Sequence, residues 1–386
     1  MNRTPQEFIA HAGSVAGYYG FKPLRDVDPQ GFRSVVGRAL PTFDHAVRVC
    51  SGSPSMRERE PVLAYFASPT PSPSAMPEGF SARDTASFDL HVANVPHALG
   101  DTIVIKTTVA ILQEWGAPIV RMRINAFGDR DSRERHAREL TAFVRRRFAT
   151  AHDDPAHEAE RRAILEQPSH LYHSKACFAE DALAEAPRSV HFLSERSRAH
   201  FKELLEHLEN IDVPYELDDS LRGDDREARI AFHIDLGKSE AGDVVRGGMG
   251  GRFDDHVARL VNRRDYPTVH SSIFFAKHKL PRTAFVQTEI TPPRLYFIQL
   301  GIHAKLCGLA VVDTLRHAHI PIAQSFDTTR LSPQLHAAES AGVPLVLIMG
   351  EREARDHTVI VRHVSNSSQT AVPIGELSKY LRGIKV

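Results

Sequence analysis

The chain has 386 residues, enough for two or three domains and a large core. Its 48 basic and 48 acidic residues cancel, so global charge marks no nucleic-acid partner, and any such contact must come from local basic patches. Hydrophobic residues at 42% and charged residues at 25% are ordinary for a soluble globular protein.

The three cysteines, Cys50, Cys177 and Cys307, lie far apart, with neither metal-ligand spacing nor a disulfide framework. That fits a reducing cytosol. The 22 histidines are scattered, and the tightest pair, His317 and His319, lacks a Cys or acidic ligand at zinc spacing, so no metal site is expected. The first residues, to Phe21, carry no apolar signal core or cleavage site. No stretch approaches the roughly 20 apolar residues that cross a bilayer. A cytoplasmic protein without a membrane partner is expected.

In chain order, residues 5–19 place Phe8, Ile9, Ala12, Val15 and Ala16 at helical spacing, with an end near Gly20. The stretch 41–66 reads as two strands around a polar turn, the first alternating through Phe43, His45, Val47 and Val49. Ser68-Pro69-Thr70-Pro71-Ser72-Pro73-Ser74 opens an extended loop that runs to about Ala86. Phe88-Asp89-Leu90-His91-Val92 alternates as a strand should. A helix is predicted over 101–115 and a strand over 119–124. Asp131 is the predicted cap of the next helix, with Glu134 as its reciprocal partner. That helix carries Arg133, Arg135, Arg138, Arg145, Arg146 and Arg147, which form either a solvated face or a patch for RNA phosphate.

Residues 155–165 are charged and helical in pattern. Ser194 starts an amphipathic helix with Phe201, Leu204, Leu205 and Leu208 on one face. Strand signals fill 213–236. Val244-Val245-Arg246 leads into Gly247-Gly248-Met249-Gly250-Gly251, read as a tight turn in which Gly247 and Gly248 supply φ > 0. Arg252 and Asp254 are expected to brace it by a salt bridge. After Thr291-Pro292-Pro293 come a strand (295–300), a helix (302–317), a strand (321–325), a helix (331–341), strands at 343–349 and 358–364, and a helix (374–381). Such alternation predicts a separate domain with a mixed sheet. The predicted division is 1–285, with a helical segment at about 131–210, and 293–386.

Several strings in this order resemble one family. Tyr19-Gly20-Phe21 is similar to its opening "YGF" helix, and Ile124-Asn125-Ala126-Phe127-Gly128-Asp129 with Arg133, Leu140 and Val144 to its "INSLG…R…L" segment. His173-Ser174-Lys175, Ala186-Pro187, His200-Phe201 and Ile211-Asp212-Val213-Pro214-Tyr215 follow in register. Ser220-Leu221-Arg222-Gly223-Asp224-Asp225 resembles "LVRGLDYY", and Gly250-Gly251-Arg252-Phe253-Asp254 resembles "GGRYD". Gly308-Leu309, Leu315-Arg316, Gly350-Glu351 and Val359-Ile360-Val361-Arg362 follow an anticodon-binding domain. The resemblance is to histidyl-tRNA synthetase, a class II aminoacyl-tRNA synthetase, and it is continuous from about Gly116 onward.

The resemblance implies an α+β fold. A class II antiparallel sheet would be flanked by helices and followed by a C-terminal α/β anticodon-binding domain. It implies a homodimer whose partner is tRNA, that of histidine or a related RNA. Its chemistry would be ATP-dependent activation of histidine, with ATP and Mg²⁺ as companions wherever catalysis is kept. Arg222 would meet the substrate carboxylate and α-phosphate, or else pair with Asp225 beside a turn. Lys277 and Arg83 would meet the nucleotide. Gly250, Gly251, Arg252 and Asp225 would line the amino-acid pocket.

Departures from the family pattern fall on the phosphate contacts. Motif 2 normally supplies an arginine, and its position here falls in Pro69 to Ser74, where none stands. The motif 3 arginine is Lys277, which keeps the charge but loses the bidentate fork. The usual preceding glycine is Phe274, the motif 1 proline falls at Val27, and the tyrosine pair after "RGLD" is Arg226-Glu227. Three readings follow: a tRNA-binding relative with weakened or lost activation, a working histidine–tRNA ligase, and a binding protein like the synthetase-related regulatory subunit of ATP phosphoribosyltransferase.

Overall fold

The computed structural model describes residues 5–37, 41–57, 60–68, 84–95, 97–148, 158–172, 174, 177–221, 228–238, 244–263, 266–276, 293–324, 326 and 331–384. The Pro69 to Ser74 loop, Arg83, Arg222, Asp225 to Glu227, Lys277 and the expected boundary up to 292 lie outside those residues.

Strands with alternating side chains build the first sheet: β1 (Lys22–Pro23), β2 (Val62–Ser68), β3 (Thr85–Ala93), β4 (Arg121–Ala126), β5 (Glu216–Leu217), β6 (Ile230–Lys238), β7 (Val244–Arg252) and β8 (Thr268–Ala276). Their order is β1-β2-β3-β8-β7-β6-β4-β5. The interior pairs are antiparallel, as expected. A parallel pair is added at each edge, β1 with β2 and β4 with β5.

Both faces are covered. Behind the sheet lie the helices Pro5–Tyr18 and Leu99–Glu114, whose Phe8, Ile9, Ile103 and Ile111 pack with Phe88, Leu90, Phe232 and Ile273 of the strands. Burying one such side chain contributes about 1.5–3 kcal/mol. In front, the helix Phe43–Gly52 lays Phe43, Val47 and Cys50 against Ala64, Phe66 and Phe253. A third cluster, around Leu140, Phe143, Ile164 and Leu171, holds together the helical segment after β4.

The second sheet comprises β9 (Leu295–Gln299), β10 (Ile322–Gln324), β11 (Leu345–Met349), β12 (Thr358–His363) and β13 (Gln369–Pro373), in the order β10-β9-β11-β12-β13. β9, β10 and β11 are parallel, and β12 and β13 are antiparallel additions, so the sheet is mixed as predicted. The helix Ile302–His317 has the predicted bounds.

Four sequence expectations are corrected. The segment around Phe43 is a helix, not a strand. Thr42 caps it by accepting from the His45 N–H, and Phe43, Ala46, Val47 and Cys50 recur at helical spacing on a buried face. The cap before Arg130–Phe148 is Asp129, which accepts from the Ser132 N–H at 3.0 Å, while Asp131 pairs with Arg135. The glycines 247–251 lie inside β7 rather than in a turn, and none has positive φ. A short helix, Glu351–Arg355, and the strand β13 were not anticipated.

Candidate functional site

Side-chain alternation divides the first sheet into two chemistries. Toward the rear helices point Phe88, Leu90, Ile230, Phe232, Val269 and Ile273, all in the main core. The front face takes the other parity: Ser87, Asp89 and His91 on β3, His270, Ser272 and Phe274 on β8, and His233 and Asp235 on β6. All of these are buried. Strand register sets Asp89 opposite Ser272 and His91 opposite His270.

Asp89 organises the middle of this face. It accepts from Ser87 Oγ at 2.6 Å and from Ser272 Oγ at 2.5 Å, and its Oδ1 lies 3.3 Å from His270 Nε2. Around it, rings fill the space. The Phe43 ring meets His270 edge-on at 4.9 Å and 82°, and Phe66 stacks on His270 at 6.1 Å. His91 lies 5.9 Å from both Phe43 and His270.

Toward the β4 edge the face is charged but balanced. Arg121 and Arg123 both bind Asp235, at 3.0 and 2.9 Å, and Arg123 also binds Asp218 at 2.7 Å. Burial works against ionisation of Asp218, but hydrogen bonds from Ser220 and Arg123 outweigh it and hold the carboxyl below its ordinary range.

The rear side has a separate ion network. Arg252 reaches Asp101 at 2.5 Å and Asp254 at 3.0 Å. His200 Nε2 lies 3.1 Å from Asp101, and Arg229 pairs with Asp254 and Asp255. Arg133 closes the chain on Asp255 at 2.9 Å. Burial would raise the Asp101 carboxyl, but Arg252 and then His200 outweigh it, so it stays ionised below its usual range. A cavity of about 860 Å³ opens beside this network, lined in part by His97, Arg196, His200, Arg229 and Arg252.

Of the residues singled out from sequence, Gly250, Gly251 and Arg252 are placed together on β7. The expected Arg252–Asp254 bridge is present. The glycines are needed for close packing: a Cβ on Gly250 would sit 2.4 Å from the His270 carbonyl oxygen, and one on Gly251 2.3 Å from that of Ile230. Arg83, Arg222, Asp225 and Lys277 lie outside the described residues. Asp89 and His270 were missed. The alternation of Phe88 to Val92 already put Asp89 on one face with His91, which was the available signal.

Among the described residues, no group of three or more His, Cys, Asp or Glu side chains could hold a metal ion. No described helix is long and apolar enough to cross a membrane.

Residues 300–384 match the family model described as anticodon binding domain. The histidine–tRNA ligase of Geobacillus thermodenitrificans is 27% identical over 339 residues, covering 86% of this chain and 76% of that protein. The chain is similar to histidyl-tRNA synthetases over most of its length. The Halorhodospira halophila member is 29% identical over 76% of this chain and 68% of its own length. Among solved structures, the histidyl-tRNA synthetase of Nostoc sp. covers 97% of this chain and 94% of its own at 15% identity, with a TM-score of 0.42.

Proposed function

We propose that this chain binds tRNA through its C-terminal unit and that its ATP-dependent activation of histidine is weakened or lost. The observation that carries the reading is the packed front face: Phe43, Phe66, His91 and His270 lie ring on ring in its middle. Phe274, at a position where the family usually has glycine, is buried on the same face. Activation builds negative charge on phosphate and depends on positioned cations. The described arginines of that face, Arg121 and Arg123, already share Asp235 and Asp218.

On this reading the core covers 1–285 and the anticodon-binding unit 293–386. The molecule works as a cytoplasmic homodimer. Arg222 remains the group for a substrate carboxylate or phosphate. Lys277 and Arg83 are the weak remainder of a nucleotide site, with Mg²⁺ only as the companion of ATP. Gly250, Gly251 and Asp225 border the altered amino-acid pocket, and Arg252 braces the sheet. The match of residues 300–384 to the anticodon-binding model supports tRNA as partner.

Calorimetry with histidine tRNA, ATP and histidine in separate titrations tests this. Binding of tRNA with little or no heat from ATP is expected. Tight binding of ATP together with histidine, as in a working ligase, would overturn it.

A further inference from the structure

In the C-terminal unit, three side chains have the order of a nucleophile, a base and an orienting acid. His303 and Cys307 are one turn apart on the helix Ile302–His317, which puts them on the same face. Cys307 Sγ lies 3.6 Å from His303 Nε2. The opposite ring nitrogen, His303 Nδ1, lies 3.6 Å from Glu351 Oε2. Glu351 opens the short helix Glu351–Arg355, which packs against the first helix. Gly301, with φ +98°, lies beside it; a Cβ there would sit 2.6 Å from Glu351 Oε1. The His303 and Glu351 side chains are 52% and 60% exposed, so small molecules can reach them.

We propose that Cys307, His303 and Glu351 form a reactive-thiol site that takes small aliphatic disulfides and becomes S-thiolated. His303 Nε2 accepts the thiol proton, and Glu351 holds the resulting imidazolium. The Cys307 sulfur attacks one sulfur of the disulfide. A new S–S bond forms as the old one breaks, and the departing thiolate takes the proton back from His303. Cys307 is oxidised and the incoming disulfide is reduced, so no further oxidant is needed.

The need for a base follows from the thiol's surroundings. Burial, and then Glu351, push the Cys307 thiol up from its ordinary value, so it rests protonated. Among the described residues, the titratable groups beside it are His303 from its own helix and Glu351 from the helix packed against it. Cys50 is fully buried, and burial pushes its thiol further up still. It lacks this arrangement. The site does not depend on whether the chain activates histidine or binds tRNA.

The test uses the full chain and oxidised glutathione, with uptake at Cys307 followed by peptide mass mapping. At neutral pH, His303→Ala is expected to slow uptake at least about tenfold, and Glu351→Gln to slow it less, because loss of the imidazolium's partner is partly offset by a lower thiol value. Once the pH is high enough to ionise the raised Cys307 thiol without help, the three proteins should converge. Equal rates at neutral pH, or no uptake at Cys307, would overturn the proposal. So would a deficit in His303→Ala that persists at high pH, because that would mark altered access rather than a lost base.

Discussion

Lys106 Nζ lies 2.7 Å from Asp313 Oδ2, which ties the helix behind the first sheet to the long helix of the C-terminal unit. Tyr19 donates to the same carboxylate, and Arg316 reaches it at 3.1 Å while also pairing with Glu114. The Lys106 and Asp313 side chains are only 15% and 22% exposed, so solvent screens the pair weakly. Asp313→Asn is expected to cost roughly 3 kcal/mol, because it leaves cations without their counter-charge. Urea unfolding measures it. Burial opposes ionisation of Asp313, yet Lys106, Tyr19 and Arg316 together hold its carboxyl below the ordinary range. Its stabilisation is therefore complete above the unfolded value of about 3.9 and fades as pH falls through the lower folded value. The gap between wild type and Asp313→Asn should stay flat from about pH 5 to 8 and close only in acid.

Gly250 and Gly17 should respond oppositely to alanine. A Cβ on Gly250 would lie 2.4 Å from a backbone oxygen, so Gly250→Ala must push β7 away from β8 and should cost at least about 1–3 kcal/mol. At Gly17, in the helix Pro5–Tyr18, a Cβ meets nothing within 4 Å. Gly17→Ala should stabilise by roughly 0.5–1 kcal/mol through helix propensity. Thermal unfolding of both variants decides this.

This contrast also marks what was legible in sequence. The C-terminal unit could be read closely because its apolar runs are short and separated by polar breaks, as in the helix Ile302–His317. The glycines of β7 could not. Their need comes from the carbonyls of Ile230 and His270 on neighbouring strands, and a sequence window holds no trace of that approach. The Phe43 helix was misread because alternation and helical spacing coincide over so short a window. Asp101 and Arg252 stand 151 residues apart, so only the packing of the helix Leu99–Glu114 against β7 brings them together.

That pair gives a third prediction. Arg252→Met would leave Asp101 buried without its main counter-charge and should cost about 3–5 kcal/mol. Adding Asp101→Asn should recover a large part of the loss. A double-mutant cycle by chemical unfolding reads the coupling. Additive losses would count against the bracing role of Arg252.

Asp129 joins the starts of two helices, accepting from Ser132 and from Ser194 Oγ at 2.6 Å. Desolvation works against its charge, but these hydrogen bonds outweigh it and hold the carboxyl at about 2. A carboxyl-carbon NMR titration should give that midpoint. Stability linked to this cap is full above about pH 3.9 and is lost as pH falls through about 2.

Pyrophosphate exchange into ATP in the presence of histidine tests the account most directly, on protein already shown to bind tRNA. On the proposed reading, with Lys277 in place of one motif arginine and the front face packed with rings, the rate should lie at least about a hundredfold below that of a working family member. Exchange at an ordinary enzyme's rate would contradict the account.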